Sequence, residues 1–450
     1  MNNCRPISLH PDNSRYFLFR GKPTILITSA EHYGAVLNLD FDYETYLEEL
    51  NACGLNMTRV FSGAYHEIPG TFKITKNTLA PKPEKYVCPW SRSSEPGGAD
   101  GLNKFDLDRW DEVYFTRLKD FYRIASEKGI VIELTMFCPF YNKDLWDVCP
   151  MNSNNNINTV EDIPWNRVYS VENKRLMDYQ TTMVRKIVTE LNSFDNIIFE
   201  VMNEPWVTNV ETLWQEYIAE TIADTEKSLP VQHLISWNPA NGFMMVENPN
   251  RNVSVYNYHY ASPPEAIRVN YHLARPIGCN ETGFAGQSDF AYRSQAWDFI
   301  LGGGALFNNL DYSFTVGHEN GDFQYPETQP GGGSNKLRKQ YKILADFINS
   351  FDFIHMKPAD DLIKGLRLSN GFGRLLAQPG KTYALYVSNA SDLRVAIDIL
   401  PDHYHVEWVS PITGDVEGSS IVDHSGGIMH LSVPKPQKDI ALKIKAASHK

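Results

Sequence analysis

The sequence predicts an α/β protein, a (β/α)8 TIM barrel followed by a small all-β sandwich domain. Short apolar strands alternate with helical segments eight times over roughly 330 residues, a pattern typical of a closed parallel barrel. From about Asp360 the pattern changes to short alternating strands separated by Pro, Gly and Asp, which favours an antiparallel sandwich. A doubly wound open sheet is the alternative for the first part, but no glycine-rich phosphate loop follows the first strand. We therefore expect domains at residues 1–354 and 355–450.

The first half of the predicted barrel is defined by apolar runs and helical periodicity. A short hairpin turning at Arg20-Gly21-Lys22 precedes the first strand, and Gly54 and Gly129 follow the first two helices as stop signals. Two long irregular segments, 62–104 and 138–170, interrupt this half, and loops of such length usually shape a binding site or are mobile. The predicted strands are 24–28, 55–61, 130–137 and 197–199, and the predicted helices are 43–53, 108–128 and 172–192.

The second half continues the same alternation and then closes. The seventh strand ends in Asn280-Glu281-Thr282-Gly283, and a Gly/Pro-rich loop precedes the last helix. The predicted helices are 212–227, 265–272, 292–301 and 336–350, and the predicted strands are 234–237, 253–261, a strand starting at 277, and 304–314.

Polar residues stand where the predicted barrel strands end. The fourth strand runs into FEVMNEPW, so Glu204 follows a buried segment, and Pro205 favours an extended backbone at Glu204. Glu281 ends the seventh strand. Arg59 lies within the apolar second strand and needs a partner, either an active-site carboxylate or a structural ion pair. Because active sites of this fold lie at the C-terminal ends of the strands, we expect Glu204 and Glu281 to meet there. A surface loop is the alternative for Glu204.

Two short motifs carry a resemblance to a known group of enzymes. Asn203-Glu204-Pro205 on the fourth strand and Glu281-Thr282-Gly283 on the seventh resemble the signature of clan A glycoside hydrolases. Family five, which includes cellulases and mannanases, is the most similar family. The resemblance covers roughly residues 10–352, and the C-terminal part is similar to small sandwich domains attached to glycosidases of this broad group.

The resemblance implies a role for each matching residue. It makes Glu204 the general acid/base and Glu281 the nucleophile of a retaining hydrolase that cleaves a β-linked glycosidic bond. It further implies that Asn203 binds the sugar 2-hydroxyl and that Arg59 supports the nucleophile. The sixth strand of the family supplies a His and a Tyr spaced by one residue. Here the matching residues His259 and Tyr260 are adjacent, so the register of this strand is open.

Other features depart from family five and indicate a separate family of the clan. The eighth strand, FNNLDYSF, lacks the tryptophan that commonly forms the floor of the sugar subsite, and Asn308, Asn309 and Tyr312 occupy that region. The Glu31-His32-Tyr33 cluster after the first strand is also unusual, and we include His32 among the candidate substrate-binding residues. Trp206 either stacks on a sugar or packs against its own loop.

The double-displacement mechanism requires the two carboxylates to differ in pKa. We expect Arg59 to keep Glu281 charged, and burial beside Asn203 and aromatic residues to raise the pKa of Glu204.

Composition and net charge limit the classes of binding partner that we expect. A net charge of -12 without a Lys/Arg run argues against nucleic acid, and an oligo- or polysaccharide is the expected substrate. No cofactor is expected. Glu31, His32, His66 and His259 could gather around a metal, but no His-x-His or Glu-x-x-His spacing supports a site, so no metal is expected. A non-catalytic carbohydrate-binding barrel and a metal-dependent barrel enzyme remain the alternatives.

Sequence features also bear on compartment and redox state. The N-terminus has neither the basic nor the apolar region of a signal peptide, and no apolar stretch reaches membrane-spanning length. We expect a cytoplasmic protein, or a secreted or periplasmic one whose signal has been removed. The six cysteines occur singly, which favours free thiols over disulfides or a zinc site. The sequence contains no indication of the oligomeric state.

Overall fold

The structure is a computed structural model that describes residues 5–158, 160–366, 371–389, 394–435 and 437–447. Within these ranges one parallel sheet of eight strands forms the predicted TIM barrel, in the order β1-β8-β7-β6-β5-β4-β3-β2. The sheet closes between β1 and β2, where the Phe61 N–H donates to the Tyr33 carbonyl at 3.1 Å. The strands are β1 Leu26–Ala30, β2 Met57–Phe61, β3 Val131–Phe137, β4 Ile197–Met202, β5 Leu234–Trp237, β6 Val255–His259, β7 Ile277–Glu281 and β8 Leu306–Leu310.

Helices surround the barrel and bury their apolar faces against it. In α2 the side chains of Tyr114, Leu118 and Phe121 recur at helical spacing and are buried. The helices are α1 Tyr43–Ala52, α2 Glu112–Glu127, α3 Lys143–Asp147, α4 Lys174–Leu191, α5 Thr212–Lys227, α6 Glu265–Asn270, α7 Asp289–Leu301 and α8 Asn335–Asn349. No helix in the described part of the chain is long and apolar enough to span a membrane.

The long segment after β2 is more regular than the sequence suggests. It contains a hairpin of strands Trp90–Pro96 and Asn103–Trp110, so the chain is still extended at Asp108, where a helix was expected to begin. The helix starts at Glu112 instead, because the Asp111 side chain accepts hydrogen bonds from the backbone N–H groups of Val113 and Tyr114. This N-cap fixes the start of α2.

One sector of the barrel wall has no helix. Residues 238–254, all of them described, connect β5 to β6 as an irregular loop. A cavity of about 740 Å³ remains on the outer side of β5, with Trp206, Trp237 and Tyr256 among its lining residues. The loop therefore replaces a helix between the fifth and sixth strands.

The C-terminal region forms the predicted antiparallel sandwich. Its described strands make two sheets, in the orders β9-β11-β12-β17-β14-β15 and β10-β13-β16. These strands are β9 Lys357–Pro358, β10 Ile363–Leu366, β11 Gly373–Gln378, β12 Thr382–Ser388, β13 Arg394–Ile399, β14 Asp402–Val409, β15 Val416–His424, β16 Gly427–Ser432 and β17 Asp439–Ala446. Leu385, Ile397 and Leu442 are part of the apolar core of this sandwich.

Polar and aromatic contacts join the sandwich to α7 of the barrel. Both oxygens of Asp439 accept hydrogen bonds from the Arg293 guanidinium, at 2.8 and 2.9 Å. The rings of Trp297 and Tyr386 stack with their centroids 5.3 Å apart.

Five cysteines in the described chain are buried free thiols: Cys53, Cys88, Cys138, Cys149 and Cys279. Cys4 lies outside the described residues.

Candidate active site

A cavity of about 200 Å³ opens at the C-terminal end of the barrel strands, where this fold carries its chemistry. It contains both predicted carboxylates. The lining residues are His32, Tyr33, Phe61, Glu67, Phe72, Leu79, Cys138, Tyr141, Asn203, Glu204, Tyr260, Glu281, Phe284 and Leu310. The cavity beside β5 is larger, but neither Glu204 nor Glu281 lines it. The smaller cavity is therefore the candidate active site.

Glu281 is held by three donors. The Tyr260 hydroxyl donates to Oε1 at 2.6 Å, and the Tyr33 hydroxyl donates to Oε2 at 2.8 Å. The Arg59 guanidinium donates to Oε2 at 3.3 Å. The three donors come from the exits of β1 and β6 and from β2, which places Glu281 at a point where several strands converge.

A bulge in β7 allows Glu281 to face the cavity. Cys279 pairs with Tyr258, but Glu281 pairs with His259, so Asn280 is an extra residue in β7. The Asn280 amide points into the barrel interior and donates to Glu133 and Glu200, at 2.9 and 2.6 Å. Consecutive residues of a regular strand point to opposite faces. The bulge removes that alternation, and both Asn280 and Glu281 face inward.

Glu204 adopts a left-handed conformation, with φ 38° and ψ 54°. The expectation of an extended backbone before Pro205 was therefore wrong. The Glu204 N–H donates to the Asn238 side chain at 2.9 Å, and the Glu204 side chain lies between His259 and Tyr141. These contacts from neighbouring strands outweigh the local preference of a residue that precedes proline. The turn directs Glu204 into the cavity.

Each oxygen of the Glu204 carboxylate contacts a different side chain. His259 Nδ1 lies 3.0 Å from Oε1, and the Tyr141 hydroxyl donates to Oε2 at 2.5 Å. His259 Nδ1 also lies 3.5 Å from Glu281 Oε1. The imidazole therefore stands between the two carboxylates.

The electrostatics of Glu204 are opposite to the expectation from sequence. Burial favours the neutral form, but the hydrogen bond and charge of His259, together with Tyr141 and Arg59, hold the pKa of Glu204 below its usual value. Burial likewise disfavours a charged imidazole, yet the carboxylates of Glu281 and Glu204 raise the pKa of His259. Both shifts favour the pairing of a charged imidazole with a charged carboxylate.

Arg59 combines both roles that the sequence left open. Its Nη2 lies 2.5 Å from Glu200 Oε2, and its Nη1 contacts Glu281. Glu133 lies further away, with Nε to Oε2 at 3.8 Å. Burial and the neighbouring Glu200 raise the pKa of Glu133 to about 7, although Arg59 opposes this. Arg59 is thus a structural ion-pair partner below the cavity and a donor to Glu281 within it.

His259 and Tyr260 both face the site although they are adjacent. His259 ends β6, and Tyr260 has a φ of 51°, which turns the chain so that its hydroxyl reaches Glu281. The Tyr260 N–H also donates to the Glu281 carbonyl at 2.8 Å. The left-handed residue does here what an intervening residue does in the family-five pattern.

The remaining predicted residues have different positions. Asn203 accepts a hydrogen bond from Arg59 Nη2 at 2.8 Å and donates to the Tyr141 hydroxyl at 3.1 Å. His32 lines the cavity, and its Nδ1 is buried without a hydrogen-bond partner. Trp206 does not line the cavity; its ring meets that of His259 edge-on at 5.6 Å and borders the larger cavity beside β5.

The residues of β8 and of the turn after it mainly make contacts within the protein. Asn308 donates to the Asn280 carbonyl at 2.9 Å, and Asn309 donates to the Ser29 hydroxyl at 3.1 Å. Tyr312 contacts the rings of His32 and Phe284 at the edge of the cavity. These contacts connect β8 to its neighbours in the barrel and to the cavity wall.

Tyr33, Tyr141 and Glu67 are parts of the site that the sequence did not assign. Tyr33 was recognised only as a member of an unusual cluster. Tyr141 and Glu67 lie in the irregular segments 138–170 and 62–104. Tyr141 and Glu67 follow the C-terminal ends of β3 and β2 by a few residues. This position in the sequence is the signal that could have identified them.

The cavity wall is rich in left-handed residues other than glycine. Such a backbone is uncommon and costly for residues with a Cβ, and it concentrates at functional sites. The cavity residues with this conformation are Tyr33, Phe72, Glu204, Tyr260 and Phe284, with φ values of 60°, 51°, 38°, 51° and 55°.

The same cluster offers ligands that suit a metal ion. One oxygen of Glu204, one nitrogen of His259 and one oxygen of Glu281 lie within 4.8 Å of one another. Imidazole and carboxylate are ligands of several divalent metals. The grouping differs from the sequence-based alternative, because Glu31, His32 and His66 do not belong to it.

Comparison at the level of sequence gives one family model and no curated relative. Residues 75–230 match the model of a family described as a domain of unknown function, DUF6298. No curated protein sequence matches the chain.

Solved structures match over the whole chain or most of it. A candidate glycoside hydrolase from Bacteroides vulgatus ATCC 8482 has a TM-score of 0.70 at 14% identity, covering 99% of this chain and 83% of that one. A family 5 glycoside hydrolase from the same organism has a TM-score of 0.67 at 13% identity, covering 99% and 94%. A family 5 mannosidase from Rhizomucor miehei has a TM-score of 0.50 at 12% identity, covering 75% and 96%. The chain therefore has a family-5-like glycoside hydrolase fold.

Proposed function

We propose that this protein is a retaining glycoside hydrolase that cleaves a β-linked glycosidic bond. The observation that carries the proposal is the convergence of Glu204 and Glu281 on one small cavity, each in a different hydrogen-bonding environment. Glycoside hydrolysis needs two carboxyl groups with different tasks. The glycoside hydrolase fold of the structural neighbours supports the same reaction class.

Glu281 is the nucleophile in this mechanism. One of its oxygens attacks the anomeric carbon while the bond to the leaving oxygen breaks, and a glycosyl ester forms. Arg59, Tyr33 and Tyr260 fix the position of its two oxygens for attack. The same donors stabilise the carboxylate again when the ester is cleaved.

Glu204 is the acid/base. It protonates the leaving oxygen in the first step and takes a proton from water in the second. His259 Nδ1 lies 3.0 Å from Glu204 Oε1, so the imidazole can pass a proton to the carboxylate when substrate enters. The pair, rather than either residue alone, therefore supplies the catalytic proton.

The spacing of the two carboxylates favours retention. An oxygen of Glu204 lies within 4.8 Å of one of Glu281. Retaining enzymes hold their carboxyl groups about 5–5.5 Å apart, whereas inverting enzymes leave about 6.5–9.5 Å for a water molecule. A contact this short is nearer to the retaining than to the inverting separation.

The other predicted residues bind and position the sugar. Asn203 is fixed by Arg59 beside Glu204, where its amide can meet the 2-hydroxyl. Tyr260 and His32 present a hydroxyl and an imidazole to the cavity. Trp206 supports the His259 ring from outside the cavity, and we assign it to positioning rather than to sugar stacking at this site.

Azide rescue of the two alanine variants tests the assignment. Glu281→Ala should lose turnover of a 2,4-dinitrophenyl β-glycoside, and azide should restore it with a product of inverted configuration. Glu204→Ala should keep the first step on this activated substrate, and azide should then give a product of retained configuration. Glu319→Ala, which removes a buried glutamate outside the cavity, is the control and should not respond to azide. Failure of azide to rescue Glu281→Ala would contradict its role as nucleophile.

A metal-dependent reaction is the second candidate, because Glu204, His259 and Glu281 could bind one divalent ion. The positive Arg59 lies 3.3 Å from Glu281 and opposes a cation at that position. Metal analysis of the purified protein decides between the two. One equivalent of bound metal, with activity lost on chelation, would favour the second candidate.

A further inference from the structure

We propose that the cavity accepts a single sugar at the end of a chain, and that Glu67 binds hydroxyl groups of that sugar. The protein would then remove terminal residues instead of cleaving within a polysaccharide. This inference rests on the proposed glycosidase function and names the part of the substrate that the same site selects. Its evidence is the size of the cavity, the wall that ends it, and the chemistry of Glu67.

The cavity is small for a chain-binding site. Pockets that enclose ligands of drug size have about 300–1,000 Å³, whereas this one has about 200 Å³. A volume of this size corresponds to about seven water molecules at the density of the liquid. One sugar ring fits such a space, but a second ring linked through it does not.

The wall that ends the cavity is a fixed part of the fold. The Glu67 N–H donates to the Leu79 carbonyl at 2.7 Å, which closes residues 67–79, a part of the segment after β2, into a loop. The Thr78 hydroxyl donates to Glu31 Oε2 at 2.6 Å and joins this segment to the exit of β1. Gly34 packs so closely that a Cβ there would lie 2.3 Å from the Thr78 carbonyl. An extended chain therefore has no path through this side.

Glu67 presents a buried carboxylate to the cavity. The Tyr65 hydroxyl donates to its Oε1 at 3.1 Å, and the Asn77 amide donates to its Oε2. Burial raises the pKa of Glu67 to about 7, against the effect of these two donors. Each carboxylate oxygen can accept more than one hydrogen bond, so acceptor capacity remains for a ligand.

His32 provides the complementary group. Its ring lines the same cavity, and Nδ1 is buried without a hydrogen-bond partner. Burial lowers the pKa of His32 to about 4, so the ring is neutral and offers both a donor and an acceptor. Sugar hydroxyls also donate and accept. A carboxylate and a neutral imidazole in one wall suit two neighbouring hydroxyls of a terminal sugar.

Capped substrates test the selection of chain ends. We would compare 4-nitrophenyl β-disaccharides of glucose, mannose, galactose and xylose with the same compounds carrying a blocking group on the non-reducing-end sugar. The wild-type protein should release that sugar from the uncapped compound of at least one series and act at least 100-fold more slowly on its capped form. Equal cleavage of both forms would overturn the inference and leave the glycosidase assignment intact.

Glu67→Gln measures the contribution of the carboxylate. Loss of a hydrogen bond to this buried carboxyl group should lower kcat/KM by about 10- to 100-fold. Removing one hydroxyl from the sugar should then cost wild type more than it costs the variant. Glu319→Gln is the matched control, since it is buried in a different loop and outside the cavity. Equal losses in wild type and variant for every deoxy sugar would contradict a contact between Glu67 and the substrate.

Phe72→Gly tests the rim without depending on the folding of Glu67→Gln. Phe72 meets Tyr141 edge-on at 4.9 Å and already has a φ of 51°, which glycine adopts freely. Opening this rim should reduce discrimination against the capped compounds at least tenfold. An unchanged ratio would contradict the proposed limit on size. Phe243→Gly, on the loop outside the cavity, is the control.

Calorimetry separates the two levels of the proposal if no glycoside is hydrolysed. Binding of the simple methyl β-glycosides to wild type, weakened in Glu67→Gln and unchanged in Glu319→Gln, would support a terminal-sugar site even though the glycosidase function had failed. Absence of both hydrolysis and binding across the four sugars would overturn the inference.

Discussion

Two pairs of glutamates surround Arg59, and only one pair faces the cavity. Glu133 and Glu200 lie in the barrel interior and are fully buried, whereas Glu204 and Glu281 line the cavity at the strand ends. The interior pair is bound by residues from within the sheet, among them Ser236, which donates to Glu133 at 2.7 Å, and Thr135, which donates to Glu200 at 2.6 Å. The cavity pair is bound by residues at strand exits and on loops.

Both pairs lie near an arginine, so this proximity does not separate a catalytic carboxylate from a structural one. The difference between the pairs is whether a substrate can reach them. Arg59 makes its shortest contact with Glu200, which no substrate can reach, and a longer one with Glu281. The interior pair fixes the guanidinium, and the fixed guanidinium then supports Glu281. We expect substitutions in the two pairs to have effects of different kinds, on stability below the cavity and on turnover within it.

The largest effect should come from Glu281→Gln. In the proposed mechanism Glu281 is the nucleophile, and its loss should lower kcat by about 10⁴-fold or more. The change in free energy of unfolding should stay within about 1 kcal/mol, because Arg59 retains Glu200 as its partner. Kinetics on an aryl glycoside and urea denaturation measure the two quantities. A kcat within tenfold of wild type would show that the cavity pair has no chemical role.

Glu200→Gln should have the converse effect. Removing one charge of a buried pair leaves Arg59 poorly compensated, which costs about 3–5 kcal/mol. The urea midpoint should fall clearly, and kcat should fall less than in Glu281→Gln. A variant as stable as wild type would contradict the structural role of the interior pair.

Glu133→Gln should change how stability depends on pH. Because the folded protein raises the pKa of Glu133 from 4.5 to about 7, the stability that neutral Glu133 contributes is fully present below pH 4.5 and is lost as the pH rises through about 7. This loss amounts to about 3 kcal/mol at most. Gln has no such titration, so the difference in stability between pH 5 and pH 8 should shrink in the variant. Urea midpoints at the two pH values measure this difference, and an unchanged difference would contradict the raised pKa.

Tyr141→Phe should give the smallest effect of the series. The variant loses the hydroxyl that donates to Glu204 but keeps the ring contacts of the wall. We expect kcat/KM to fall about tenfold, since a hydrogen bond to a charged group contributes about 1.5 kcal/mol or slightly more. Tyr169→Phe removes a comparable buried hydroxyl, which donates to the Cys138 carbonyl, and is the control. Equal losses in both variants would indicate general destabilisation instead of a specific contact with Glu204.

The fold class was predictable because it depends on periodicity. Eight apolar runs separated by amphipathic helices leave few alternatives to a barrel, and that prediction was confirmed. The positions of Glu204 and Glu281 at strand ends followed from the same pattern. What failed were statements about single residues whose conformation or charge depends on distant neighbours.

Glu204 illustrates both failures. Local sterics before Pro205 favour an extended backbone, but Asn238, His259 and Tyr141 hold the residue in a left-handed turn. Burial alone would raise its pKa, but an imidazole from another strand reverses the shift. None of these three residues is close to Glu204 in sequence, so no local rule could include them.

The regular alternation of a strand also fails to predict part of the site. A period of two residues allows only one of Asn280 and Glu281 to face inward, and the same holds for His259 and Tyr260. The bulge in β7 and the left-handed Tyr260 break this rule. Tyr141 and Glu67 belong to long loops without periodicity, where position beyond a strand end is the only available signal.

The loop that replaces a helix between β5 and β6 has a consequence for thermal inactivation. Segments that bury little apolar surface open at lower free energy than the core around them. Asn238, which holds the Glu204 N–H, is the first residue of this loop, whereas the donors to Glu281 come from the exits of β1 and β6 and from β2. On heating, the turn at Glu204 should therefore lose its contact with Asn238 before the donors to Glu281 separate, and activity should decline at temperatures where the barrel is still folded.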